Sequence, residues 1–94
     1  MTLSAGPILE FYTRDGCAVC DEARLSLQAV MEERARRSQP NPRVRYVSLS
    51  QRPELEERYG ALVPVLAVGG NELVLVTSAR SIATFLDRAL GQLV

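Results

Sequence analysis

Two spacings of apolar residues alternate along the chain, one typical of strands and the other of helices. Short runs of apolar, aromatic or β-branched residues predict four strands, over Ile8–Thr13, Arg43–Leu49, Val63–Val68 and Glu72–Val76. Apolar positions at helical spacing predict two longer helices, one over Ala18–Arg37 and one that follows Ser78 and ends at Gly91. A short helix is expected between Pro53 and Gly60, because proline suits a first turn and glycine suits a helix end.

The resulting order is β-α-β-α-β-β-α, which predicts an α/β fold with a four-stranded mixed sheet flanked by three helices. Strands that are joined by a helix are expected to run parallel, through right-handed crossovers. Gly69-Gly70-Asn71 is typical of a hairpin turn and joins the last two predicted strands. The chain has 94 residues and no linker-like segment, so one domain is expected over 1–94, with residues 1–6 flexible.

Charge is balanced, and this excludes some classes of partner. The chain has eleven arginines and eleven acidic residues, and it has neither lysine nor histidine. Without a basic stripe, a nucleic-acid partner is not expected. The arginines at positions 34, 36 and 37 are expected on the exposed end of the first long helix, where cations suit the helix dipole. The start lacks a signal-peptide pattern and no apolar run approaches about 20 residues, so a cytoplasmic protein without a membrane partner is expected.

The two cysteines of the chain form a single C-x-x-C motif, Cys17 to Cys20. In a reducing compartment such a pair indicates redox chemistry or a metal site rather than a structural disulfide. Cys17 falls at the predicted start of a helix, where free N–H groups and partial positive charge favour a thiolate and lower the thiol pKa. Arg14 is expected to add to this effect, whereas Asp21 is expected to oppose it.

Cys20 lies one turn later, on the side predicted to carry Val19, Ala23 and Leu27, and is expected to be the more buried thiol. That asymmetry indicates an exchange reaction in which Cys17 attacks a disulfide and Cys20 then releases the product. Zinc needs four ligands, and this chain offers two thiols and no histidine, so a metal site would need two chains.

The segments TRDGCAVCDEA and LVPVLAV, followed by a hairpin and an amphipathic helix, resemble the glutaredoxin branch of the thioredoxin superfamily. The similarity is greatest to small bacterial glutaredoxin-like proteins. The resemblance implies a thioredoxin fold, with Cys17 as nucleophile and Cys20 as resolving thiol. It also implies a cis bond before Pro64, although X–Pro bonds taken alone are mostly trans. A cis Pro64 is expected to leave the Val63 backbone open to an extended substrate, and Arg14 corresponds to the basic residue before the motif.

Several departures from the glutaredoxin pattern bear on the ligand. Ala18-Val19 replaces the usual Pro-Tyr, and Thr77-Ser78-Ala79-Arg80 stands where glutaredoxins hold glutathione with Gly-Gly and an acidic pair. Ser78 and Arg80 are still expected to bind a substrate carboxylate at the helix start. No cofactor is expected to be required, and the departures weigh against glutathione as a ligand. Thioredoxin is less similar, because its buried aspartate aligns with Phe11 and the neighbouring Glu10 is expected on the opposite face of the sheet.

Three functions stay open at this point. The first is a glutaredoxin-like oxidoreductase with a reactive groove between Asp15–Cys20, Val63-Pro64 and Ser78–Arg80. Its expected partners are a disulfide-containing protein or a small thiol as substrate, and a reductase or glutathione as electron donor. The second is a non-catalytic redox switch, or a module that holds a metal or iron–sulfur cluster between two chains. The third is a redox-inert adaptor, since a fold does not fix a function.

Overall fold

The structure is a computed structural model that describes residues 7–76 and 78–90. Within these residues the chain forms four strands and three helices in the predicted order. The strands are β1 (Ile8–Thr13), β2 (Arg43–Ser48), β3 (Val65–Val68) and β4 (Asn71–Leu73), and the helices are α1 (Ala18–Arg36), α2 (Pro53–Tyr59) and α3 (Ala79–Ala89). The predictions that concern residues 1–6, Thr77 and Gly91 lie outside the described residues.

The four strands form one mixed sheet in the order β2-β1-β3-β4. Strand β1 runs parallel to β2, with Phe11 opposite Tyr46. It runs antiparallel to β3, with Tyr12 opposite Val65, and β4 returns antiparallel to β3 after the predicted hairpin. The four-stranded mixed sheet with three helices is therefore confirmed.

The direction of β3 corrects one prediction. Strands β2 and β3 are joined by a helix and were expected to be parallel, but β3 runs opposite to both β1 and β2. Helix α2 has only seven residues, which corresponds to about 10 Å, whereas a six-residue strand such as β2 is about 20 Å long. The short helix does not carry the chain back along the sheet, so β3 begins at the end where β2 finished.

The sheet has apolar cores on both faces, because side chains of β1 alternate between them. Leu9 and Phe11 point to the face covered by α1 and α3, and Tyr12 points to the face covered by α2. The first core contains Leu9, Phe11, Ala23, Leu27, Val30, Leu66, Val68, Val76, Ile82, Phe85, Leu86 and Leu90. The second contains Tyr12, Leu49, Tyr59 and Val65, and its two tyrosine rings stack with centroids 4.3 Å apart.

Arg34 lies in a different place from the one predicted. Arg36 and Arg37 do remain at the exposed end of α1, where both bind Glu33. Arg34 is 3% exposed; its Nε donates to Pro40 O at 2.9 Å and its Nη1 donates to Asp87 Oδ1 of α3 at 2.6 Å. The exposed position predicted for Arg34 is wrong, because α3 packs against the last turns of α1 and supplies a carboxylate there.

Strand β4 ends three residues earlier than predicted, at Leu73. Leu75 adopts a left-handed backbone conformation with φ of 52°, and an extended strand does not continue through such a residue. The chain bends toward the segment before β3, where Leu75 N donates to Leu62 O at 2.9 Å and Val76 N donates to Pro64 O at 3.1 Å. Residues 74–76 therefore lie beside residues 62–64.

Candidate functional site

The first cysteine lies where β1 passes into α1. A turn at Asp15-Gly16, with Gly16 at φ 73°, leads from the end of β1 to Cys17, which is the N-cap of the 19-residue helix α1. The Cys17 Sγ atom accepts a hydrogen bond from Cys20 N at 3.1 Å. The predicted placement at a helix start is confirmed, and the sulfur occupies the position at which a helix favours negative charge.

The two cysteines form a disulfide, and their Cα atoms are 5.2 Å apart. Their exposure differs as predicted: Cys17 is half-buried, whereas Cys20 is only 2% exposed. Val19, between them, is 49% exposed. Its expected place on the buried face of α1 is therefore wrong, and an apolar side chain reaches the surface next to Cys17.

Arg14, which was expected to assist the thiolate, makes its hydrogen bonds to α2. Its guanidinium forms an ion pair with Glu56 and donates to Gly60 O at 2.9 Å. These contacts tie the loop before Cys17 to the last turn of α2. A direct effect of Arg14 on the Cys17 thiolate stays a prediction.

Val63 and Pro64 lie at the same end of the sheet as the cysteines. The Val63–Pro64 peptide bond is cis. Since Tyr12 pairs with Val65, the register puts Pro64 beside Thr13, the last residue of β1 before the loop to Cys17. The Val63 N–H already donates to Tyr59 O at 3.1 Å. The turn after α2 therefore uses the Val63 N–H, and the expected contact between the Val63 backbone and a substrate stays a prediction.

Ser78 and Arg80 line a cavity that does not include the cysteines. Ser78 is the N-cap of α3, as predicted, and its Oγ accepts from Ser81 N at 3.1 Å. With Glu72 and Phe85, among others, Ser78 and Arg80 line a cavity of about 430 Å³ between β4 and α3. The expected groove that would join this helix start to the cysteines stays a prediction.

A second cavity, of about 230 Å³, lies beside the buried cysteine. Cys20 lines it together with Asp15, Asp21, Arg24 and Tyr46, among others. The Arg24 guanidinium lies over the Tyr46 ring, 5.6 Å from its centroid. Sequence reasoning missed Arg24 and Tyr46. The one available signal was the parallel pairing of β2 with β1, which brings Tyr46 next to Phe11 and so near the start of α1.

Glu10 lies on the sheet face opposite α1, as predicted, and Phe11 takes the position toward the helix. The Glu10 carboxylate accepts from Arg45 Nη2 at 2.6 Å and from the Tyr12 hydroxyl at 2.8 Å. The Arg45 hydrogen bond, followed by that of Tyr12, lowers the pKa of Glu10 below its usual range. Burial and the same hydrogen bond raise the pKa of Tyr12. This network binds β1 to β2 and is separated from the cysteines by the sheet.

Within residues 7–76 and 78–90, no three side chains of His, Cys, Asp or Glu are grouped so that they could hold a metal ion. A metal or cluster on the cysteine pair would therefore need ligands from another source. In the same part of the chain, no helix is both long and apolar enough to cross a membrane.

The sheet, its three helices and the cysteine pair at the start of α1 define a thioredoxin fold. An X-ray structure of the protein XcR50 from X. campestris is 30% identical to this chain, covers 86% of it and 97% of its own length, and has a TM-score of 0.70. Thioredoxin 1 from Thermosipho africanus shares the fold at 13% identity, with a TM-score of 0.60. The similarity covers 86% of this chain and 91% of the thioredoxin chain. A mutant thioredoxin from Halobacterium salinarum is 21% identical to this chain and has a TM-score of 0.60. The similarity covers 92% of this chain and 76% of the thioredoxin chain.

The model of the glutaredoxin-like domain (DUF836) matches residues 8–90. The chain belongs to this glutaredoxin-like family, which confirms the resemblance seen in the sequence. Among curated proteins, none matches the chain.

Proposed function

We propose that this protein is a glutaredoxin-like thiol–disulfide oxidoreductase in which Cys17 is the nucleophile and Cys20 the resolving thiol. The observation that carries the proposal is the difference between the two sulfurs. Cys17 is half-buried and its sulfur accepts the Cys20 N–H at the start of α1, whereas Cys20 is 2% exposed. A substrate disulfide can reach the half-buried Cys17 sulfur, whereas the Cys20 sulfur is buried and placed to attack Cys17.

In the first step, the reduced protein attacks with the Cys17 thiolate. Its electron pair forms a bond to one sulfur of a substrate disulfide, and the substrate S–S bond breaks. The other substrate sulfur leaves as a thiolate and takes a proton from water. The N-terminal N–H of α1 stabilises Cys17 as a thiolate before the attack.

In the second step, Cys20 loses its proton to water and attacks the Cys17 sulfur. The Cys17–Cys20 bond forms, the mixed disulfide breaks, and the second substrate sulfur leaves as a thiolate. Two electrons have passed from the protein dithiol to the substrate, which becomes two thiols. The product state of the protein is the disulfide that the structure shows.

A new cycle needs two electrons from a thiol donor, either a dithiol reductase or two molecules of glutathione. We place the protein in the cytoplasm, where such donors keep thiols reduced. Arg14, Val63, Pro64, Ser78 and Arg80 are proposed to contact the substrate. For Val63, the backbone carbonyl is the group we assign to this role, because its N–H is already bonded to Tyr59 O.

The pH dependence of alkylation in a Cys20→Ser variant tests the proposal. We expect the Cys17 thiol to titrate below the value of about 8.5 of a free cysteine. The same variant should accumulate a mixed disulfide with a peptide disulfide, because the resolving thiol is missing. Cys17→Ser is the matched control and should form no adduct. A free-cysteine pKa without a trapped adduct would reject the exchange function.

A further inference from the structure

Leu75 combines two features that leucine seldom shows together. It holds a left-handed backbone conformation with φ of 52°, and the residue is 53% exposed. Among the described non-glycine residues, Ser38 and Gln51 also have positive φ, but both are polar. A bulky aliphatic residue is unusual in this conformation, where Gly and Asn are favoured. Strain that persists at a surface position points to a function for the side chain.

The hydrogen bonds of this segment put Leu75 next to the candidate active site. Leu75 N donates to Leu62 O and Val76 N donates to Pro64 O. Pro64 lies beside Thr13 in the register of the sheet, at the end where the loop to Cys17 starts. The active-site end of the protein therefore presents an exposed leucine beside Pro64 and an exposed valine, Val19, between the two cysteines.

We propose that Leu75 is a specificity-determining residue, which favours polypeptide disulfides that carry an apolar side chain next to the reacting cysteine. This inference rests on the proposed function. In the mixed disulfide the substrate sulfur is bonded to Cys17, so the substrate residues on either side of it lie against the surface around that sulfur. An apolar substrate side chain that covers Leu75 removes apolar area of both molecules from water. Glutathione has carboxylates and no such side chain, and gains nothing from Leu75.

The backbone at Leu75 makes a clean test available. Asparagine is close to leucine in size and accepts a left-handed conformation readily. Leu75→Asn therefore removes the apolar surface and keeps the bend between β4 and α3, and Leu75→Met restores an apolar side chain. Leu25→Asn is the matched control, since Leu25 is also an exposed leucine, at 66%, but lies two turns further along α1.

The experiment compares two peptides with one disulfide each, identical except for leucine or serine next to the reacting cysteine, with glutathione disulfide as a third substrate. We expect wild type to reduce the leucine peptide with a kcat/KM about fivefold higher than the serine peptide. One additional methylene in a closed pocket raises kcat/KM about tenfold or more. A half-exposed contact should give a smaller preference. Leu75→Asn should abolish the preference, Leu75→Met should keep it, and Leu25→Asn should leave it unchanged. Rates with glutathione disulfide should stay within twofold in all variants.

The outcomes separate the two proposals. A wild type that reduces the peptides with equal efficiency, or a Leu75→Asn variant that keeps the preference, overturns the role of Leu75 and leaves the exchange function standing. If Leu75→Asn lowers kcat/KM equally for all three substrates, the role of Leu75 in specificity is also overturned, since such a result indicates a structural role. A wild-type protein that reduces none of the three substrates overturns the exchange function and this inference with it.

Discussion

At the scale of single residues, the position of the Cys17 sulfur depends on the turn that precedes it. Gly16 has φ of 73°, and a Cβ placed on it would meet nothing within 4 Å. Space is therefore available for a side chain, and the backbone conformation alone requires glycine. The turn directs the chain so that Cys17 caps α1 and its sulfur faces the Cys20 N–H. The position of the Cys17 sulfur at the start of α1 thus depends on a neighbouring residue that has no side chain.

Gly16→Ala should lower the free energy of unfolding by about 1–2 kcal/mol, the cost of a left-handed conformation for a residue with a Cβ. It should also slow alkylation of Cys17 in the Cys20→Ser background, because a relaxed turn moves the sulfur from the helix start. Chemical denaturation and alkylation rates measure the two effects. Gly70→Ala is the control: its Cβ would also meet nothing within 4 Å, and its φ is not in the left-handed range. Equal stability of the two variants would contradict the role of the turn.

At the scale of elements, helices α1 and α3 are joined by a buried charge. The Arg34 side chain is 4% exposed and that of its partner Asp87 is 59% exposed. The two ends of this ion pair are therefore not equivalent. Removal of the carboxylate leaves a buried guanidinium without its counter-charge, and removal of the guanidinium leaves a carboxylate that water can solvate.

Asp87→Ala should therefore destabilise the protein more than Arg34→Met does. We expect Asp87→Ala to lower the free energy of unfolding by about 3 kcal/mol, which is at the lower end of the range for a broken buried ion pair. Arg34→Met should cost about 1 kcal/mol or less, since methionine fills much of the same volume with apolar atoms. Urea unfolding of the two variants measures the difference. A smaller loss for Asp87→Ala than for Arg34→Met would show that the buried charge is not what holds the helices together.

The Glu10–Arg45 contact between β1 and β2 gives a prediction for acidic solution. The pKa of Glu10 in the folded protein lies below its reference value of 4.5, so the folded state favours the ionised form. This contribution to stability is complete above that reference pH and is lost as the pH falls through the folded-state pKa. Glu10→Gln does not titrate, so its free energy of unfolding should fall less steeply with acid than that of wild type. If the free energy of unfolding falls equally steeply with acid in wild type and Glu10→Gln below pH 4.5, this linkage is ruled out.

The elements differ in how well the sequence predicts them, and the reasons are physical. The bounds of β1 and the start of α1 follow from local patterns and agree with the structure. The direction of β3 depends on the length of α2 relative to the strands, which periodicity does not express. Val19 was expected on the buried face of α1 but is exposed, and Leu75 was expected within β4 but lies beyond its end and is exposed. Arg34 has the composition of a surface residue, and its burial follows from α3 packing beside it, a contact distant in sequence.

At the scale of the whole molecule, both redox states should share one fold. The core on either face of the sheet is made by residues outside the cysteine pair, with Phe11 and Leu27 on the α1 side and Tyr12 and Tyr59 on the other. The disulfide closes a loop of residues 17–20 only. Reduction removes a local restraint and leaves these cores in place.

Reduction should therefore lower the stability of the protein by about 2 kcal/mol at most, the loop-entropy value for four residues. For a domain of this size that corresponds to a fall in Tm of up to about 15 °C. Thermal unfolding with and without a reductant measures the difference, and the double variant Cys17→Ser/Cys20→Ser should be insensitive to the reductant. A chain that unfolds on reduction would show that the fold depends on the disulfide.

Strand β2 is an edge strand of the sheet, and its side chains affect whether the protein self-associates at high concentration. Among the strands formed by residues 7–76 and 78–90, β2 has a neighbour on one side only, and an edge of this kind offers unpaired backbone groups to an extended chain. Arg43 and Arg45 are exposed along this strand, with the aromatic Tyr46 beside them. Charged side chains on such a strand oppose pairing between molecules. Replacement of both arginines by threonine would remove these charges and favour the strand conformation itself, and we expect it to promote self-association through β2.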